Sequence, residues 1–192
     1  MWYNIVRKAV IMNILLFGIS NVGKSSTGKV LAQSLGFDFY DLDDEVKNAF
    51  GITLEEFVST GNLEERDCKR CCVLKDIISK SNRSKVITVT PISNVEHLSD
   101  IVSNDNTLSI ELQDSVENIF DRLVFSDEND VIYKDDEYKN EHKDYYMEDI
   151  IEDQKWYGSI YAGFCRVFDM DGDSPEKSAS RIISEFNLTA ER

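Results

Sequence analysis

Apolar positions along the chain come in two patterns. One is the short unbroken run: Ile14, Leu15, Leu16 and Phe17 stand together and meet Gly18. A run of that length fits a central strand covered on both faces. Residues 37–40, 86–89, 108–112 and 164–168 give four further strands by their aromatic, β-branched or alternating character. The other pattern has helical spacing. Residues 24–35 carry Val30, Leu31 and Leu35 and stop at Gly36, a glycine end to a helix. Residues 43–80 are helical with breaks near Gly51 and Gly61. Residues 115–124 place Val116, Ile119, Phe120 and Leu123 on one face. Ser174-Pro175-Glu176 opens a last helix, with serine as N-cap, that buries Ala179, Ile182, Ile183 and Phe186. Strands alternating with helices predict an α/β domain: a five-stranded parallel sheet in three layers, helices on both faces.

Residues 126–155 break that regularity. They hold twelve acidic and four basic residues among scattered tyrosines, and no arginine occurs from 124 to 155. This stretch reads as an insertion, either a solvated loop or a lid over a ligand at about 125–155.

Composition narrows the function classes. The chain has 192 residues, 42% of them hydrophobic, and a formal net charge of −15. That length suits one domain, expected over residues 12–192, with residues 1–11 as an N-terminal extension. The acid excess argues against nucleic acid and anionic membranes as partners. No apolar run approaches a membrane span, and residues 1–19 lack a small-residue cleavage site. Cys68, Cys71, Cys72 and Cys165 do not form a secreted disulfide framework. They read as buried thiols of a cytoplasmic protein; a zinc site built from the four is the competing reading.

The strongest motif is Gly18-Ile19-Ser20-Asn21-Val22-Gly23-Lys24-Ser25, a full G-x-x-x-x-G-K-[ST] match between an apolar strand and a helix. Glycines let backbone N–H groups curl around a phosphate. The lysine neutralises β/γ charge, and the serine hydroxyl meets Mg²⁺. Gly18, Ser20, Asn21, Val22, Gly23, Lys24, Ser25 and Ser26 are therefore the candidate ATP-binding residues. Asp41 and Asp43 follow the second strand, where open parallel sheets bind ligands. Read in extended chain, the two carboxylates point the same way, one toward Mg²⁺ and one toward an acceptor hydroxyl. The plainer reading makes one of them a helix cap.

These residues resemble the shikimate kinase family. The matching pieces are G-I-S-N-V-G-K-S-S-T-G-K, L-A-Q-S-L-G-F-D-F-Y-D-L-D, and G-I-T-L-E-E-F followed by Gly61 and Arg66. The resemblance implies a P-loop kinase fold with ATP and Mg²⁺ as cofactors. It implies phosphoryl transfer to a small hydroxy acid, with Lys24 and Asp43 catalytic, Ser25 and Asp41 at the metal, and Asp43 and Arg66 on the substrate. A monomer or weak dimer is expected. A nucleotide-binding relative with another acceptor, or with no transfer activity, is the alternative. The chain departs from the family at four places, one of them Glu65, just before Arg66, where the family has phenylalanine. Thr88-Val89-Thr90-Pro91-Ile92-Ser93 replaces a triple-glycine turn. The lid has no arginine. Tyr157 or Asp153 stands where a second substrate arginine is usual.

Overall fold

A computed structural model describes residues 11–190. The expected extension, residues 1–11, lies almost wholly outside them. The strands are β1 (Asn13–Phe17), β2 (Asp38–Asp41), β3 (Lys85–Thr88), β4 (Thr107–Gln113), a small antiparallel hairpin of β5 (Phe125–Ser126) and β6 (Ile132–Tyr133), and β7 (Arg166–Asp169). Five of them make one parallel sheet in the order β2-β3-β1-β4-β7. The helices are α1 (Lys24–Leu35), α2 (Leu42–Phe50), α3 (Leu54–Ser59), α4 (Leu63–Ser79), α5 (Ser99–Val102), α6 (Val116–Arg122), α7 (Asp136–Glu141), α8 (Lys143–Tyr161) and α9 (Pro175–Glu185).

β1 is unbroken apolar because it is covered twice. Ile14 and Leu16 point into one core with Leu31, Val86, Ile110, Phe168, Ala179 and Ile182. Leu15 and Phe17 point into the other with Leu42, Val46, Phe57, Leu74, Ile87 and Tyr161. Alternation along one strand thus feeds two layers. All five sheet strands are parallel, so their carboxyl ends share one edge. The turn after β1, Asp41, Thr90, Asp114 and Asp171 gather there.

The acidic stretch 126–155 is more regular than its composition indicates. It contains β6, α7 and the first two thirds of α8, and the helix runs past 155 to Tyr161. The reason is a buried stripe: Ile150 is in the core, with Tyr146, Met147 and Tyr157 packed against it. Acidic side chains take the remaining face. The hairpin's tip is docked as well. Asp130 sits in a left-handed turn, and its Oδ2 accepts the backbone N–H of Leu54 at the start of α3.

Gly28 marks the tightest helix–sheet approach. A Cβ there would lie 2.9 Å from both Phe39 and Thr88 and 3.3 Å from Leu16. Gly28→Ala is expected to lower unfolding free energy by about 1–3 kcal/mol through overpacking. Urea denaturation would show it as a lower midpoint at unchanged slope; an unchanged midpoint would mean that the neighbours yield freely.

Candidate active site

The phosphate loop joins β1 to α1. Gly18 and Gly23 both have positive φ, at 135° and 110°. A Cβ on Gly18 would come 2.6 Å from Leu112 O, so that position admits only glycine. Asn21, at φ 60°, completes the curl. Val22 is fully buried, so it offers the loop's interior only its backbone. Ser26 Oγ donates to Gly23 O.

α1 starts with no side-chain cap. By contrast α2, α3, α4, α6 and α9 are capped by Asp41, Thr53, Asn62, Ser115 and Ser174. First-turn N–H groups without a capping side chain, at the positive end of a helix, are an anion site in waiting. Lys24 Nζ arches over the loop and donates to Gly18 O and Ile19 O at 2.9 and 2.8 Å. Burial pulls its pKa down to about 8, against the raising influence of Asp43 and Asp41.

Asp41 and Asp43 are not two positions of one extended strand. Asp41 ends β2 and is the N-cap of α2, and Asp43 lies in that helix's first turn. Asp41 is the helix cap that the plainer reading named, and it also reaches the phosphate loop. Its Oδ1 accepts Asp43 N at 3.1 Å, and its Oδ2 accepts the Ser25 hydroxyl at 2.5 Å. The helical turn points Asp43 elsewhere, to Thr90, whose hydroxyl donates to Asp43 Oδ1 at 2.5 Å. Burial raises the Asp43 pKa. The Thr90 hydrogen bond lowers it, Asp41 raises it, and Arg70 and Lys24 lower it.

Arg66 lies on α4 but is partly occupied. Its Nη1 donates to Val58 O and Gly61 O, both at 3.0 Å, which braces the end of α3; Nη2 and Nε make no hydrogen bond to the described residues. Arg70, one turn further, was not singled out from the sequence. It is buried, and its charge reaches Asp43. Arg122 was also missed as a site residue. Its Nε donates to Asn21 O in the phosphate loop and its Nη2 pairs with Asp114 at 2.6 Å. Burial pushes the Asp114 pKa up, but its bonds from Asn118, Arg122 and the Ser115 backbone together outweigh that and lower it. A cleft of about 420 Å³ adjoins this group, lined by Gln113, Asp114, Ser115, Asn118, Gln154 and Asp171. Burial reveals Arg70 and a chain-distant bond reveals Arg122; the one sequence signal is the four-residue step from Arg66 to Arg70.

For Mg²⁺ the residues fit. Ser25 Oγ and the Asp41 carboxylate form a hard oxygen pair of the kind that joins phosphate oxygens and water around this ion. Among the described residues no three His, Cys, Asp or Glu groups are arranged to hold a metal by themselves. The cysteines do not converge into a zinc site. Nor are they all buried as expected: Cys71 is, while Cys68 and Cys72 are exposed on α4 and Cys165 is half-buried. In the lid, Lys139 and Lys143 place their ammonium groups 5.2 and 5.5 Å from the Phe120 ring centroid.

A parallel sheet with a glycine phosphate loop, an uncapped helix behind it and a half-buried acid opposite defines a P-loop kinase. Comparison with known proteins makes this specific. The family model for shikimate kinase matches residues 20–187, and the chain belongs to the shikimate kinase family. Shikimate kinase from Thermodesulfovibrio yellowstonii is 27% identical over 177 residues, 91% of this chain and 94% of that protein. The enzyme from Persephonella marina is 28% identical over 89% and 96% of the two chains. Among solved structures, shikimate kinase from Bacteroides thetaiotaomicron superposes with a TM-score of 0.72 at 20% identity, covering 92% of this chain and 99% of that one. The Acinetobacter baumannii enzyme in complex with shikimate gives 0.70 at 19% identity, over 92% and 93%.

Two titrations test the electrostatics. A bound phosphate raises the pKa of Lys24 above its free value of about 8. The ammonium that binds is therefore intact below that pH and lost above it. ATP affinity is expected to fall by up to about tenfold per pH unit above pH 8, while Lys24→Arg, charged throughout, stays flat. Calorimetry from pH 6.5 to 9.5 measures this; a flat wild-type profile refutes it. Second, Thr90→Val removes the bond that holds the Asp43 pKa down. A carboxyl NMR titration should then place Asp43 higher than in the wild type, and an equal or lower value would show that the bond does not act on its charge.

Proposed function

We propose that this protein transfers the γ-phosphoryl group of ATP to a hydroxyl of shikimate or a closely related small hydroxy acid. One observation carries the reading. A continuous line of contacts runs from Ser25 in the phosphate loop through Asp41 to Asp43, whose carboxylate already holds a hydroxyl, that of Thr90. An acceptor hydroxyl can take the place of Thr90 on that carboxylate.

In the step itself the acceptor oxygen attacks the γ-phosphorus, the bond to the β-bridging oxygen breaks, and ADP leaves. Asp43 accepts the hydroxyl proton, a role suited to a carboxylate whose pKa is raised by burial. Lys24 and the backbone N–H groups of the loop hold the β- and γ-phosphates. Ser25, with Asp41 behind it, would hold Mg²⁺, which when bound would supply positive charge to the phosphates. Arg122 and its cleft suit the base end of the nucleotide. Arg66 offers its unused guanidinium edge to the acceptor carboxylate. With no arginine in the lid, Lys139 and Lys143 are the cations nearest to that role. The protein is read as cytoplasmic, a monomer or weak dimer, with residues 12–192 forming one domain. No helix among the described residues is long and apolar enough to cross a membrane.

The test is ADP release by the purified full-length chain with ATP, Mg²⁺ and a panel of hydroxy acids that includes shikimate. Shikimate-dependent release is expected, reduced by about 10²-fold or more in Lys24→Ala. Release that ignores every acceptor, or that survives the loss of Lys24, would sink the assignment.

A further inference from the structure

Thr90 stands between the phosphate loop and Asp43 because of the strand order. β3 has β1 on one side and β2 on the other. Its pairing with β1 runs to Thr88 opposite Leu16, and Val89 N still donates to Leu16 O at 2.9 Å. Thr90 therefore leaves the sheet beside Gly18, where the phosphate loop begins, on strands about 5 Å apart. Gly18 O is one of the two carbonyls that hold Lys24 Nζ. On the other flank Thr88 pairs with Asp41, the last residue of β2, and Asp43 follows two residues on. The Thr90 hydroxyl closes that side by donating to Asp43 Oδ1. Lys24 and Asp43 are near enough for each to shift the other's pKa.

The hydroxyl is held in place and still reachable. Pro91 favours extended backbone at the residue before it. The loop beyond is pinned, Ile92 N to Tyr161 Oη and Ser93 N and Asn94 N to Asp67. Thr90 itself is only half-buried. It presents an oxygen nucleophile on a carboxylate that can take its proton, beside the lysine that holds β/γ charge. A nucleophile that belongs to the chain needs no binding step, which favours it over the same group free in solution. The neighbouring hydroxyls are committed differently. Ser25 donates to Asp41 at the metal position, Ser26 donates to Gly23 O, and Thr88 is buried in the sheet.

We propose that Thr90 is an internal phosphoryl acceptor: when ATP occupies the phosphate loop and no free acceptor is on Asp43, the chain phosphorylates its own Thr90. Thr90 Oγ1 attacks the γ-phosphorus and forms an O–P bond. The bond from that phosphorus to the β-bridging oxygen breaks, and ADP leaves. The hydroxyl proton passes to Asp43 Oδ1 and from there to solvent. The product is a phosphate ester beside Asp43 and Asp41, where like charge separates it from both carboxylates. It fills the place that an acceptor hydroxyl needs, so the reaction stops at one phosphoryl group per chain. A free acceptor that displaces Thr90 from Asp43 prevents the step. The proposal rests on the nucleotide half of the reading above, ATP on the phosphate loop with Asp43 as proton acceptor, and not on the identity of the free acceptor.

The experiment incubates the full-length protein, treated beforehand with a phosphatase, with MgATP and no acceptor, and reads the intact mass and the peptide that carries Thr90. A gain of one phosphoryl group on Thr90 is expected, at a rate independent of protein concentration. Thr90→Ser should accept the group and Thr90→Val should not. Lys24→Ala should slow the gain by about 10²-fold or more, and in a mixture with the wild type its own Thr90 should stay unmodified. Once nucleotide is removed, the Asp43 carboxyl NMR signal of the modified protein should differ from that of the unmodified one, because Asp43 has lost the Thr90 hydroxyl. No gain in mass, a phosphate on another residue, an equal gain in Thr90→Val, or transfer to the variant in the mixture overturns the proposal. The two readings fail separately. Shikimate-dependent ADP release from a chain whose Thr90 is never modified without acceptor sinks this inference alone; phosphate on Thr90 with no acceptor supporting ADP release sinks the shikimate reading alone.

Discussion

The site depends on one carboxylate with two obligations. Asp41 must cap α2, because the chain turns from strand to helix at that residue, and it must hold the Ser25 hydroxyl, because α1 begins beside it. Its two oxygens divide the work. This couples the position of the phosphate loop to the position of Asp43, two residues further on. Asp43 is half-buried beside Lys24 because the cap fixes the helix that carries it. A side chain that only capped, or only met the hydroxyl, would leave one of the two helices free to drift relative to the other.

The acceptor side is organised by a different device. Residues 89–94 leave the sheet after β3 as an irregular loop, and three side chains from other elements pin it. Thr90 reaches Asp43, Tyr161 Oη accepts Ile92 N at 3.2 Å, and Asp67 takes Ser93 N and Asn94 N. Every pin is supplied by a helix: α2, α8 and α4. Tyr161 sits at the end of α8, whose earlier turns belong to the lid. The acceptor loop and the lid therefore share a support. Tyr157 stacks on Tyr161 with ring centroids 5.8 Å apart, one turn earlier on α8, so the position of α8 is coupled to Ile92.

The parts legible in the sequence were those whose physics is local. The run of residues 14–17 could only be a doubly covered strand, and the eight-residue loop carries its own geometry in its glycines. Boundaries slipped by a residue or two where strand and helix abut. At residue 41 that slip changed the meaning: an extended reading aligned Asp41 and Asp43, whereas the helix turn separates them. The regular elements within 126–155 were not legible because acidic residues outnumber the apolar stripe of α8, and only burial shows that the stripe orders the helix. Arg122 was not legible because its distinguishing bond is to Asn21, 101 positions away, and Arg70 was not because only its burial sets it apart. Thr90 was visible as an intrusion where the family has glycine, but its bond to Asp43 joins residues 47 positions apart.

Charge closes the argument. The lid carries much of the acid excess, and acid near a triphosphate is unfavourable unless it is directed elsewhere. The structure directs one part of it. Asp130, at the hairpin tip, is engaged with Leu54 N on α3, at the positive end of a helix where a carboxylate is stabilised. The lid's cations are placed in the opposite sense: Lys139 is buried, and it and Lys143 lie against Phe120, whose helix also carries Arg122 to the phosphate loop. The lid is acidic in sum but not in arrangement. Asp130 is tied to α3, and Lys139 pairs with Asp136 while it and Lys143 lie against α6, so the net charge of the stretch is not a measure of the field that it presents.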